Sequence, residues 1–181
     1  MLQSAIIREE TVDLALGVPM YSRKQPRSRQ LEIRPAGGEH QVVTVSSDRS
    51  QRRQPCAKPC SDCPWRIDAI GKFPSEAFVH SARTAYDMAE STFACHQAGA
   101  SQPRMCAGFL LRGAEHNLTV RLAKMRGEMV SPPSAGGHAL HASYAAMAIA
   151  NGVPEDHPAL APCRVGIVDD DDEIPTAYRH R

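Results

Sequence analysis

Aromatic side chains are scarce in this chain, at 5% of 181 residues, with one Trp, four Phe and four Tyr. A core built on so few rings is lean, and fourteen prolines and twelve glycines break up the chain further. The length therefore supports one compact domain of about a hundred residues carrying irregular flanks. No apolar stretch approaches the roughly twenty residues that span a bilayer, so no membrane association is expected. The start, Met1-Leu2-Gln3-Ser4-Ala5-Ile6-Ile7-Arg8-Glu9-Glu10, has no basic n-region and meets two acids directly after its short apolar run, which is not the pattern of a signal peptide. Neither an internal repeat nor a Gly-rich phosphate loop of the required spacing is present. These absences point to a cytoplasmic protein.

Net charge is only +1, but the charge is segregated. Residues 23 to 58 hold Arg23, Lys24, Arg27, Arg29, Arg34, Arg49, Arg52, Arg53 and Lys58 against Glu32, Glu39 and Asp48, while Asp169-Asp170-Asp171-Asp172-Glu173 forms an acidic run near the other end. A basic stretch can track a phosphate backbone, which makes nucleic acid or protein a candidate partner for residues 23 to 58. With no Phe, Tyr or Trp inside the stretch to stack on bases, a solvated linker fits it slightly better. The acidic run reads as a solubilising tail, with screening of the basic stretch as the sharper alternative.

Six cysteines stand at positions 56, 60, 63, 95, 106 and 163. Cys60-x2-Cys63 puts two thiolates on one tight turn, close enough to bind one ion, and Cys95, His96 and Cys106 supply the donors of a remote second half. Such a site closes a loop of about thirty residues and couples metal binding to folding. The competing reading, three disulfides, belongs to secreted proteins. A cytosolic chain keeps its thiols reduced, so metal is favoured. Adjacent side chains point different ways, so Cys95 and His96 are not expected on the same ion. Cys95 is preferred as the fourth thiolate, with His96 as an outer donor to a ligand or carbonyl. Zinc suits such a closed set. A [4Fe-4S] cluster takes the same four thiolates, and a proline after a cysteine, as in Cys63-Pro64, also occurs beside cluster ligands.

Three weaker signals complete the chemistry. Cys95 and His96 resemble a nucleophile and base only in sequence, since such a pair must converge in space, so no catalytic residue is assigned and enzymatic activity is left open. His138 and His141 are three apart on an expected helix, where a solvated face suits them better than an ion. Trp65 beside the Cys60–Cys63 turn reads as a cover for the site before it reads as a stacking platform.

The expected elements are mainly helical. A helix begins after Phe73-Pro74 with Ser75 as cap and Phe78, Ala82, Ala85, Tyr86 and Ala89 as its apolar stripe. A second runs from about Glu115 to Arg126 with Leu118, Leu122 and Met125 on one face, and a third from about His138 to Asn151. The expected fold class is a mainly α, small, metal-stapled irregular domain at 55–152. Before it lies a basic, largely irregular segment at 1–54 with a hairpin at 31–46, and an irregular acidic tail follows at 153–181.

The stretch Pro59-Cys60-Ser61-Asp62-Cys63-Pro64-Trp65-Arg66-Ile67-Asp68, then Phe73-Pro74, Phe93-Ala94-Cys95-His96-Gln97, Cys106-Ala107-Gly108-Phe109 and Leu118-x3-Leu122-Ala123, resembles a small cysteine-rich family of bacterial and phage genomes known only as a domain of unknown function. The resemblance covers about residues 59 to 129. It implies that Cys60, Cys63, Cys95, His96 and Cys106 form the centre and suggests a mobile-element or prophage setting, while Cys56 and both flanks fall outside its pattern. The function expected from residues and resemblance together is a metal-binding module, holding zinc, that contacts protein or nucleic acid. The alternative is an iron-sulfur protein with a redox or enzymatic role.

Overall fold

The computed structural model describes residues 2–8, 28–47, 55–129 and 131–164. The acidic run 169–173 and, from the basic stretch, Arg23, Lys24, Arg27, Arg49, Arg52 and Arg53 lie outside the described residues.

Strand β1 (Leu2–Arg8) sits inside a four-stranded sheet, flanked by β3 (His40–Ser47) and β4 (Ser91–Phe93), with β2 (Ser28–Pro35) on the far edge in the order β2-β3-β1-β4. The sheet is mixed: β1 pairs antiparallel with β3, from Leu2 opposite Ser46 to Arg8 opposite His40, and parallel with β4, Ser4 opposite Phe93. Four short helices complete the order, α1 (Ser75–Ser81), α2 (Ala107–Arg112), α3 (Leu118–Met125) and α4 (Tyr144–Ala150), the longest of eight residues. The fold is therefore not mainly α. The expectation failed because β1 is buried on both faces, with Gln3, Ser4, Ala5 and Ile6 all at 4% exposure or less, and a strand covered on both sides shows no alternation to read.

β2 and β3 pair antiparallel as a hairpin at the place where the β-branched run Val42-Val43-Thr44-Val45 pointed, with Ile33 opposite Val43 and a bulge between Gln30 and Glu32. Its turn needs three successive left-handed residues, Gly37 (φ 78°), Gly38 (φ 56°) and Glu39 (φ 62°), which glycine adopts without steric cost. The turn closes through Ala36 N–H to the His40 carbonyl at 2.8 Å and His40 N–H to the Gly37 carbonyl at 2.9 Å.

The helices also depart from expectation. In α1, Pro74 rather than Ser75 occupies the cap position, the helix stops at Ser81, and a single 3-10 turn carries Ala82–Ala85 onward. α3 is shorter than expected and buries Val120 and Ala123, leaving Met125 83% exposed. The third expected helix keeps only its second half, because Ser143 caps α4 by accepting from Ala146 N–H while Leu140 pairs in an isolated bridge with Arg66. His138 and His141 are thus not on a helix face, and His141 is buried at 7% exposure.

One core joins the sheet to the helices. Trp65, fully buried, packs edge-on to Phe93 at 6.2 Å and to Tyr144 at 5.9 Å, and is tilted against Phe109 at 6.3 Å. Close approach requires glycine at two points here: a Cβ on Gly108 would lie 2.4 Å from the Trp65 Cβ, and one on Gly113 2.3 Å from Cη2 of the ring. The Tyr144 hydroxyl donates to the Phe78 carbonyl at 2.6 Å and meets the Ser81 hydroxyl at 2.7 Å, so the phenol is satisfied in the core. Among the described residues, no helix is long and apolar enough to cross a membrane.

Candidate metal centre

Two backbone constructions bring the thiols together. The first is the turn Pro59–Pro64, closed by Cys63 N–H donating to the Cys60 carbonyl at 3.2 Å and held from outside by the Arg66 guanidinium, which donates to the same carbonyl at 3.2 Å and pairs with Asp68. The second is the crossing of β4 with residues 104–106. Cys95 N–H donates to the Arg104 carbonyl at 2.8 Å and Cys106 N–H to the Phe93 carbonyl at 3.0 Å, either side of a bridge between Ala94 and Met105. Cys106 then starts α2 from its cap position.

The sulfurs meet across these constructions. Cys63 Sγ lies 3.4 Å from Cys106 Sγ, Cys95 Sγ lies 3.8 Å from Cys60 Sγ, and Cys60 and Cys63 are in side-chain contact. Cys56, which falls outside the family resemblance, lies near Cys95, and each thiol shifts the other's pKa. Its backbone N–H is bonded to the Met105 carbonyl at 3.0 Å. Two sulfur pairs, Cys95–Cys60 and Cys63–Cys106, therefore meet, with Cys56 beside the first. Among the described residues these contacts remain pairwise, and no three His, Cys, Asp or Glu side chains gather as a ready-made cage for an ion. Cys163 stands apart beside the Ala82 and Ala159 carbonyls, and burial pushes its thiol up to about 11.

The electrostatics single out Cys95. Its contacts with the Cys56 and Cys60 thiols, and then with the backbone amides of Gln97 and Ala98, lower its pKa despite its burial. Hydrogen bonds to a charged form favour that form, so the charged form of Cys95 is favoured over that of its neighbours. Cys56 is pushed up mainly by Cys95, Cys60 mainly by Cys63 and then by Cys95, and Cys63 mainly by its contact with Cys106.

His96 takes a different position. Its Nδ1 is 3.7 Å from Cys60 Sγ, its ring packs edge-on to Phe73 at 5.2 Å, and burial lowers its pKa. The same ring lines a cleft of about 1330 Å³ between the sheet and residues 96–101, shared with His40, Asp62, Lys72 and Phe73. Lys72 and Asp62 pair across that wall. The structure thus brings together all five donors expected from spacing, Cys60, Cys63, Cys95, His96 and Cys106, and adds Cys56. The one signal that could have found Cys56 was its place four residues before Cys60. Trp65, at zero exposure, has no free face on which a base could stack.

A family model, the family of unknown function DUF6283, matches residues 53–164, and the chain belongs to that family. The match includes all six cysteines and β4 but leaves out β1, β2 and β3. No curated protein and no solved structure matches the chain.

Proposed function

We propose that this member of a family of unknown function is a metal-binding module in which one zinc ion, held by Cys60, Cys63, Cys95 and Cys106, staples the thiol turn to the β4 crossing. The observation that carries this reading is the sulfur spacing. Four sulfurs on one tetrahedral zinc at a bond length of about 2.3 Å stand about 3.8 Å apart, and two of the six pairs lie close to that, at 3.4 Å for Cys63–Cys106 and 3.8 Å for Cys60–Cys95. Closing the row round an ion is a matter of rotating side chains that already touch. Bound zinc would hold all four sulfurs as thiolates and supply a structural staple; the bond from Ala98 N–H to the Cys95 carbonyl at 3.1 Å fixes the backbone that would present Cys95 to it.

The [4Fe-4S] alternative fits this spacing less well, because each cysteine of a cubane binds a different iron and the sulfurs stand much farther apart than on a single ion. His96, on the cleft side of Cys60, serves as an outer donor in this reading. The module is read as a cytoplasmic component of bacterial or phage origin whose basic stretch, residues 23–58, meets a protein or nucleic acid. Arg29 and Arg34 on β2 are its described members there, Arg34 being paired with Glu32.

Elemental analysis with an absorption spectrum, on protein purified without oxygen, tests the metal directly. The expected result is one zinc per chain, absent from Cys60→Ser and Cys106→Ser variants, with a fall in melting temperature when the parent is stripped by a chelator. Iron with acid-labile sulfide and broad visible absorption would replace zinc by the cluster, and a metal-free, fully folded protein would end both readings.

A further inference from the structure

Helix α3 turns its cations outward. Arg121, Lys124 and Arg126 are exposed, as is Met125 between the last two. Helical spacing sets Arg121, Lys124 and Met125 on one face, and Arg126 follows at the C-cap. None of the three cations has an ion-pair partner among the described residues. Arg121 instead donates to the sulfur of Met88 at 3.8 Å, and Met88 is itself exposed. Asp87, the neighbour of Met88, is already engaged by the Arg164 guanidinium at 2.8 Å, with His116 Nδ1 at 4.0 Å. Arg164 also donates its N–H to the Ala85 carbonyl at 3.1 Å. The last described residue is thus pinned beside residues 85–88 and, through Met88, beside α3.

Beyond Arg164 the sequence runs Val165-Gly166-Ile167-Val168 and then Asp169-Asp170-Asp171-Asp172-Glu173. Outward from Arg164 the surface offers first the thioether of Met88 and then the cations of α3; the chain offers first an apolar run and then five acids, so the order agrees. Asp169 is five residues past Arg164, a reach of up to about 17 Å. Arg121 is two contacts from Arg164, through Asp87 and Met88, and Lys124 lies about 4.5 Å further along the helix axis. A tether this short gives the acids an effective concentration in the millimolar range, at which several individually weak exposed ion pairs act together.

We propose that the exposed face of α3 is the docking surface for the acidic run of the same chain, residues 169–173, with Arg121, Lys124 and Arg126 taking its carboxylates and Met88 and Met125 taking Ile167 and Val168. The docked run occupies a basic helix face inside the family-matched residues 53–164 and keeps other anions from it, while leaving the basic stretch 23–58 unscreened. Exposed charges attract over a Debye length of about 10 Å at 0.1 M salt and about 3 Å at 1 M, so the contact holds at low salt and is lost at high salt. It stands independently of the zinc reading.

The test is zero-length carbodiimide coupling of the full-length protein, which joins a lysine amine to a carboxylate where the two meet, followed by peptide mapping. The chain has four lysines, Lys24, Lys58, Lys72 and Lys124, and the ion pair of Lys72 with Asp62 serves as an internal control. Trypsin leaves the acidic run on peptide 165–179 and a coupled Lys124, no longer cleaved, on 122–126. The expected result at low salt is a product of monomer mass joining these two peptides, its yield falling roughly fivefold at 1 M salt. Arg121→Gln combined with Arg126→Gln, which keeps the coupling lysine, should lower the low-salt yield by a similar factor. Coupling of 165–179 to Lys24 or Lys58 in place of Lys124 would overturn the proposal and return the acids to the basic stretch. A product of dimer mass, a yield indifferent to salt or to the two substitutions, or no coupling of Lys124 while Lys72 couples to Asp62 would overturn it as well.

Discussion

Gly108 shows how a single atom decides the packing around the thiol turn. As the second residue of α2 it would ordinarily gain from alanine, since glycine costs a helix interior about 1 kcal/mol. Here the added methyl would press to 2.4 Å on the Trp65 Cβ, which is anchored to its backbone. Overpacking of this kind costs about 1 to 3 kcal/mol, which outweighs that gain, so Gly108→Ala should be net destabilising by up to about 2 kcal/mol. Urea unfolding measures it, and an unchanged midpoint would show that the helix start yields instead. At this scale part of the candidate site was legible: the two-residue gap between Cys60 and Cys63 and the later cysteines marked thiols that the fold brings near one another. Cys56 was not, because its link to Cys95 is made through the Met105 carbonyl, a partner nothing in local spacing announces. Nor was the burial of His141, whose neighbours suggested an exposed helix.

Among the elements, α3 depends on a residue just before it. Asn117 accepts from Val120 N–H at 3.1 Å as the cap, and its amide nitrogen donates to the Ser91 carbonyl at 2.7 Å, tying the helix to the first residue of β4. Replacing a cap by alanine costs about 1 kcal/mol, and the half-buried Ser91 carbonyl and the buried Thr84 carbonyl, both left without this donor, add about 1 to 3 kcal/mol more. Asn117→Ala is therefore expected to lose about 2 to 4 kcal/mol in chemical denaturation, with Asn117→Asp recovering the cap but not the tie to Ser91. A loss no larger than the cap alone would remove Ser91 from the account. Helix positions were read from apolar periodicity, which located α1, α3 and α4 but overran their ends. The overruns have causes outside the helices: Leu140 is drawn into a bridge with Arg66, and Tyr86 into one with Cys163.

Across the whole molecule, the sheet was the least legible feature, since β1 finds its partners about forty and ninety residues downstream and β4 is three residues long. Neither leaves a local period to detect. The pH response of stability is also a property of this assembled interior. His141 is buried, its Nε2 has no hydrogen-bond partner, and burial lowers its pKa from the ordinary histidine range. The unfolded chain therefore binds this proton more readily than the folded one, so the contribution is fully present above the unfolded value of about 6.5 and is lost as pH falls through it towards the folded value. Stability should decline between about pH 7 and 5, ahead of the acid loss from Asp62, Asp68 and Asp87, whose lowered carboxyls lie beside Lys72, Arg66 and Arg164. Denaturation curves across that range should flatten in His141→Gln; an identical slope would assign the decline elsewhere.

The lone Trp65 sits two residues beyond Cys63 with its ring against Phe93, Phe109 and Tyr144. The chain thereby carries its own optical reporter. Indole emission from this molecule comes from a single dry site, joined by backbone to the thiol turn and by ring contact to β4, α2 and α4. A change in its colour or yield is a signal from the junction where the centre meets the core, obtained without label or engineered probe.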